Sequence, residues 1–193
     1  MSAPVLATGA LLAAGGVALG LRRMDYERIP AVAVLSSAFF VASLIHVPAG
    51  PSSVHLVLNG LVGILLGWMA FPSILVALSL HAVLFQFGGI TSLGVNTVIM
   101  AAPAVVSFYL FGPLVRRGHI MGIIGGFGAG AAGIGIGSLL VAAALVSTGE
   151  SFAGVAKLVV AAHVPVMVIE GIVTAFCITF LKKVKPEILE VGK

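Results

Sequence analysis

Charge is the scarcest commodity in this sequence. Ten Lys and Arg and six Asp and Glu amount to 8 % of 193 residues, where a soluble domain carries roughly a quarter. So few charges cannot cover a water-facing surface, so the remaining surface must face lipid. Cysteine is nearly absent as well. Cys177 stands alone inside an apolar run, which excludes an intramolecular disulfide and a CxxC metal site and fits a small buried apolar residue. There is no G-x-x-x-x-G-K-[ST], so the chain is not itself a P-loop ATPase. It also has no H-E-x-x-H and no pair of Asp within its apolar runs, the marks of an intramembrane protease. The formal charge of +4 is small. It resides in a few basic clusters between apolar runs, which suits membrane orientation and not nucleic-acid binding.

What is present is hydrocarbon: 60 % of the residues are apolar. A helix needs about 20 apolar residues to cross a bilayer core of about 30 Å. Seven runs qualify or come near it, at residues 4–21, 29–47, 54–68, 72–87, 93–115, 120–147 and 155–181. The first is not ordered like a signal peptide, because Arg22 and Arg23 follow it and no polar cleavage region comes after. The stretch from 54 to 87 contains no charge. As one helix it would be near 50 Å long, too long for the core, so a hairpin turning at Trp68, Phe71 and Pro72 is expected. With seven spans, the clusters Arg22, Arg23 and Arg28, then Arg116 and Arg117, then Lys182, Lys183 and Lys185 share one face, and Lys157 alone lies on the other. The positive-inside tendency makes the shared face cytoplasmic. The expectation is an all-α integral membrane protein of about seven transmembrane helices. It would form a single polytopic membrane domain over residues 1–193 in the cell (inner) membrane, with its N-terminus outside and its C-terminus inside.

This orientation puts four segments outside: the N-terminus and residues 46–55, 88–92 and 148–156. The second is uncharged, rich in Gly and Pro, and bracketed by His46 and His55. Neutral imidazole is a common ligand for divalent transition metals. Two histidines across a loop are a weak metal signal by themselves, and hydrogen bonding to loop carbonyls is the preferred account of the pattern on the residues alone. Within the runs the main polar residues are Asn59, His81, Asn96, His163 and Glu170. Ionisable groups in a membrane are costly and usually face the bundle interior. His163 and Glu170 are seven apart and share a helical face. They read as an ion or proton path or, preferably, as a polar clamp between helices. In the sixth run, Gly122, Gly126, Gly130, Gly133 and Gly137 recur at spacings that let helix backbones approach closely in lipid. The G-x-G-x-x-G formed by Gly128, Gly130 and Gly133 follows no strand and is not a dinucleotide site.

Three stretches carry a resemblance. His46-Val-Pro-Ala-Gly-Pro-Ser-Ser-Val-His55-Leu-Val-Leu-Asn59-Gly60, Phe87-Gly-Gly-Ile-Thr-Ser-Leu-Gly-Val-Asn96-Thr and His163-Val-Pro-Val-Met-Val-Ile-Glu170-Gly resemble the signatures of the CbiM/NikM family. These proteins are the substrate-capture (S) subunits of energy-coupling-factor transporters for cobalt and nickel. The opening Ser2-Ala-Pro-Val-Leu-Ala-Thr-Gly9 resembles the family's first helix, so the resemblance covers essentially the whole chain. The Pro-Ser-Ser-Val-His wording is closer to the nickel branch than to the cobalt branch. The resemblance implies capture of Ni(II) or Co(II) outside the cell. It also implies a scaffold transmembrane subunit, separate ATPase subunits that drive release inward, and in many systems a small accessory membrane subunit.

The resemblance further implies a metal held by an amino-terminal Met-His-Ile segment, through its amine, an amide nitrogen and an imidazole. His55 matches the fourth ligand, with His46 the next candidate. Ser53, Asn59, Asn96, His163 and Glu170 would stand around the site or support it. Four nitrogens in a plane suit Ni(II) or Cu(II). This sequence departs from that pattern, since it opens Met1-Ser2-Ala3-Pro4 with no His at the second position. Either the start lies upstream or the site differs. Two other function classes stay open on the residues alone. An ion-coupled secondary transporter would want an inverted repeat, and none is evident. A haem-binding membrane anchor would use His81 and His163.

One imidazole cannot select a metal by geometry, because affinities at nitrogen sites follow one common order. The sequence beginning at Met1 is therefore expected to bind Ni(II) or Co(II) weakly. A Met-His-Ile extension ahead of Ser2 should restore tight binding. Titration of the two forms checks this, and equal affinity would place the ligands elsewhere.

Overall fold

A computed structural model of the protein describes residues 2–49, 52–149 and 152–190. These form seven α-helices and one β-hairpin: α1 (Ala3–Arg22), α2 (Ile29–Ala42), β1 (His46–Ala49), β2 (Ser52–His55), α3 (Asn59–Leu66), α4 (Ala70–Leu84), α5 (Leu93–Val115), α6 (His119–Val146) and α7 (Ala153–Val184). Helices dominate because lipid offers the backbone no hydrogen-bond partners, and a helix satisfies its own. Pro4 and Pro30 sit in the first turns of α1 and α2, where a missing N–H costs nothing.

Five of the seven expected runs, 4–21, 72–87, 93–115, 120–147 and 155–181, match helices to within three residues. Two differ more. The run at 29–47 is helical only to Ala42, and its end enters β1. The run at 54–68 begins in β2 and is helical only over Asn59–Leu66. At 1.5 Å per residue, eight residues reach about 12 Å, less than half of a bilayer core. The expected polar loop at 46–55 is instead an antiparallel two-stranded ladder, so the fold is not purely helical. Val47 and Val54, β-branched and cross-strand partners, favour that extended backbone. Among the described residues, five helical stretches are long and apolar enough to cross a membrane: Ala3–Arg22, Asn59–Leu84, Leu93–Val115, His119–Val146 and Ala153–Val184.

Asn59–Leu84 is not straight. Gly67 has φ +55° and ψ −124°, a conformation open to glycine and hostile to residues with a Cβ. It leads into a single 3-10 turn, Gly67–Met69, and the chain reverses there. Asn59 and Gly63 of α3 meet Met100 and Ala104 of α5, so those two helices run parallel. Ser36 and Ser43 of α2 bond Ser73 and His81 of α4, so those two also run parallel. Gly9 of α1 meets Val95 of α5 and Gly16 meets Phe71 of α4. Gly125 and Gly137 of α6 meet Val115 and Ile99 of α5, and Gly126 and Gly130 meet Ala175 and Glu170 of α7. Taken together, each helix in the series α1 to α7 runs opposite to the one before. The ends that bear Arg23, Arg28, Arg116 and Lys182 consequently gather on one side, where Lys182 Nζ donates to the Arg117 carbonyl.

The packing is inverted relative to a soluble bundle. In α1 the buried residues are Gly9, Ala13, Gly16 and Gly20, while Leu11 and Leu12 are 75 % and 57 % exposed. Small residues inside let backbones close up, and large apolar ones outside meet lipid. One of the tight crossings joins three helices. A Cβ on Gly130 would overlap the backbone of Glu170, and one on Gly60 would overlap the backbone of Ala129 and Gly130. Gly130→Leu should therefore lower the thermal midpoint in detergent sharply, since overpacking typically costs about 1–3 kcal/mol and this clash is with backbone. Gly15→Ala is the control, because nothing lies within 4 Å of that position. Equal midpoints for the two variants would show that the Gly130 face meets lipid.

Candidate functional site

The hairpin lies between the end of α2 and the start of α3, on the side of the bundle opposite the basic ends. Its register pairs His46 with His55, Val47 with Val54, Pro48 with Ser53 and Ala49 with Ser52. Two histidines nine positions apart in sequence thus become direct cross-strand partners. For the hairpin the structure describes the backbone, and the side chains of His46, Ser53 and His55 lie outside the described part. The Leu56 N–H donates to the Ile45 carbonyl at 3.2 Å, carrying the pairing one residue past His55.

Beyond Leu56 the chain turns into the bundle, and its next two N–H groups find no backbone partner. Both go to one side chain. The Val57 N–H donates to Glu170 Oε1, and the Leu58 N–H donates to both carboxyl oxygens at 3.0 and 3.1 Å. Leu58 has φ +56°, and successive N–H groups around such a left-handed residue form a concave nest for an acceptor oxygen. Glu170 lies midway along α7 and is fully buried. Its own backbone is the one pressed against Gly130. The glycine that brings α6 and α7 together therefore also fixes the residue that holds the foot of the hairpin.

The remaining candidates divide. Asn59, 3 % exposed, donates from Nδ2 to the Met100 carbonyl at 3.4 Å. Its Oδ1 is buried without a partner among the described residues. Asn96 donates to the Gly88 carbonyl and to Ser92 Oγ, each at 3.4 Å. It lines a cavity of about 350 Å3 together with Ser43, His81, Phe87, Gly88 and Gly89. His163 does not join Glu170 in a clamp. Its Nδ1 is 2.7 Å from the Val159 carbonyl one turn back, and since a carbonyl only accepts, Nδ1 carries the proton. The clamp expected of the pair is made by Glu170 alone, toward backbone. His81 is buried, with Nε2 2.6 Å from Ser43 Oγ and 3.1 Å from the Phe40 carbonyl. Among the described residues no three His, Cys, Asp or Glu gather as a metal cage.

The sequence does not reveal the partners of Glu170, because nothing in Val57-Leu58 marks two unpaired N–H groups. The pairing of His46 with His55 had a usable signal in Gly50-Pro51, a turn dipeptide midway between them.

Glu170→Ala leaves two buried N–H groups without an acceptor, each worth about 1–3 kcal/mol. The expected result is lower folded yield and faster amide exchange at Val57 and Leu58. Normal yield with abolished metal binding would make Glu170 a cargo-binding residue instead.

Comparison with known proteins agrees with this architecture. The family described as "Cobalt uptake substrate-specific transmembrane region" (CbiM) matches residues 1–188. A Haemophilus influenzae protein provisionally named a metal transport protein is 42 % identical over 189 residues, covering 96 % of this chain and 92 % of that one. A Sorangium cellulosum protein named cobalt transport protein CbiM is 32 % identical over 172 residues, covering 83 % and 76 % of the two chains. A crystal structure of a transition metal transporter shares the fold at a TM-score of 0.74 and 21 % identity, covering 95 % of this chain and 90 % of that one. The chain belongs to the CbiM family, and is a multi-pass inner-membrane component of cobalt or nickel transport rather than an enzyme.

Proposed function

We propose that this protein is the substrate-capture subunit of an ATP-driven, energy-coupling-factor importer for divalent nickel or cobalt, with nickel favoured. One observation carries the reading: His46 and His55 are cross-strand partners in a hairpin whose foot is tied into the bundle core by Glu170. A ligand on such a hairpin is carried by a backbone whose foot is fixed by a contact at mid-depth. His55 is the ligand assigned here and His46 the second candidate. Ser53 and Asn59 lie in the segment that carries His55, and Asn96 lines the neighbouring cavity.

The helices form a single polytopic domain of about seven transmembrane helices, of which α2 and α3 are shorter than the hydrocarbon core. The alternating helix directions and the shared basic side support an outside N-terminus and an inside C-terminus. ATP hydrolysis then belongs to separate ATPase subunits acting through a scaffold transmembrane subunit, with a small accessory membrane subunit in some assemblies, since this sequence contains no P-loop.

Uptake of radiolabelled Ni(II) and Co(II) by cells expressing the whole system is the test. Accumulation should stop when the ATPase chains are deleted, and in the form that carries the Met-His-Ile extension His55→Ala should weaken metal binding by more than about 100-fold, because loss of an outer partner alone costs roughly 10–100-fold. Uptake that persists without the ATPase and follows the proton gradient would make this an ion-coupled carrier.

A further inference from the structure

The side of the bundle that bears the basic clusters holds a second polar cavity, remote from the hairpin. It measures about 380 Å3 and opens between the end of α1, the Gly67–Met69 turn and the end of α5. Arg23, Arg28 and Arg116 all line it, and among the described residues Asp25 is the one acidic residue on its wall. Two of the guanidinium groups are held against rings: Arg23 lies 5.6 Å from the Trp68 ring centre and Arg116 lies 5.3 Å from that of Phe108. Such cation–π contacts fix where the charges point.

Hydrogen bonding on this wall is lopsided toward donors. The Tyr109 oxygen accepts from Trp68 Nε1 at 2.9 Å and from Arg23 Nη1 at 3.4 Å. A phenol oxygen serving as acceptor to two N–H groups still has its own O–H to donate, and Tyr109 lines the cavity. Arg116 Nε donates to the Leu189 carbonyl at 3.3 Å and the Trp68 indole N–H is spent on Tyr109, but the Arg23 and Arg28 guanidinium groups and the Tyr109 O–H also line the cavity, and they call for a ligand that is all acceptor and negatively charged. Phe108 and Met69 supply apolar wall beside them, which a free anion would leave unused and an amphiphile would cover. Trp68, a residue type favoured at headgroup depth, places the cavity at the level where phospholipid phosphates lie.

We propose that this cavity binds the phosphate of an anionic phospholipid from the leaflet on the basic side. Basic pockets between transmembrane helices are suited to such headgroups. The site fixes a lipid between the α3–α4 turn and the ends of α1 and α5, and it is independent of the metal-capture reading.

The chain contains one tryptophan, and it lines this cavity, so the protein carries its own probe. Brominated phosphatidylglycerol should quench Trp68 more strongly than brominated phosphatidylcholine in mixed nanodiscs of the full chain. Arg28→Gln should weaken the phosphatidylglycerol effect about five-fold, the change expected for one basic residue near the surface. Arg117→Gln removes the same charge from outside the cavity and should leave the effect unchanged. Tyr109→Phe, which keeps every charge, should also weaken it. Equal quenching by the two lipids, or equal losses in Arg28→Gln and Arg117→Gln, would overturn the proposal. So would displacement of the lipid by millimolar inorganic phosphate, which would mark a free-anion site. Trp68 that is indifferent to lipid and shielded only on co-expression with the scaffold subunit would assign the cavity to an acidic stretch of that partner.

Discussion

The bond from two backbone N–H groups to the carboxyl of Glu170 is what lets this bundle contain a segment that is neither helix nor strand. Irregular backbone at membrane depth is tolerated only where protein satisfies its polar groups. Val57 and Leu58 fall between the end of the hairpin and the start of α3, and the one side chain that reaches them is fully buried on α7. The half-length of α3, the inward turn of the chain after His55 and the depth at which the hairpin is anchored all follow from this. The contact depends in turn on Gly130, whose missing side chain lets the backbone of Glu170 come close.

Glycine therefore acts at two levels. Along α6 it sets interhelical distance, which is a packing matter. At Gly67 it sets direction, because a positive φ turns α3 into α4 within one 3-10 turn. Substitution at the first kind of site strains a contact. At the second it strains the backbone itself, and with it the placement of everything before and after.

The class, the apolar runs and the shared side of the basic clusters were legible because each follows from composition over ten or more residues. The reversal near Trp68 was legible for the same reason, since 34 charge-free residues cannot lie straight in a bilayer. Local detail was not. The run at 54–68 is apolar throughout, and hydropathy cannot tell strand, nest and helix apart there. His163 and Glu170 share a helical face, yet they are two turns apart, and each found a nearer acceptor or donor in backbone. A periodicity argument locates a face and says nothing of which carbonyl lies across from it. His55 was singled out by a resemblance; its pairing with His46 came from the strand register.

The gathering of the basic ends has an electrical consequence. Among the described side chains, Arg22, Arg23, Arg28, Arg116, Arg117, Lys182, Lys183 and Lys185 lie on one side of the bundle, accompanied there by Asp25, Glu27 and Glu187. Eight cations against three carboxylates leave a surplus of five charges, so the folded protein is an electrical dipole across the bilayer. Each elementary charge carried through the membrane potential is worth about 2.3 kcal/mol per 100 mV. An energised membrane thus holds the bundle in one sense by an amount comparable to the stability of a small domain, in addition to the far larger barrier of dragging arginine through hydrocarbon.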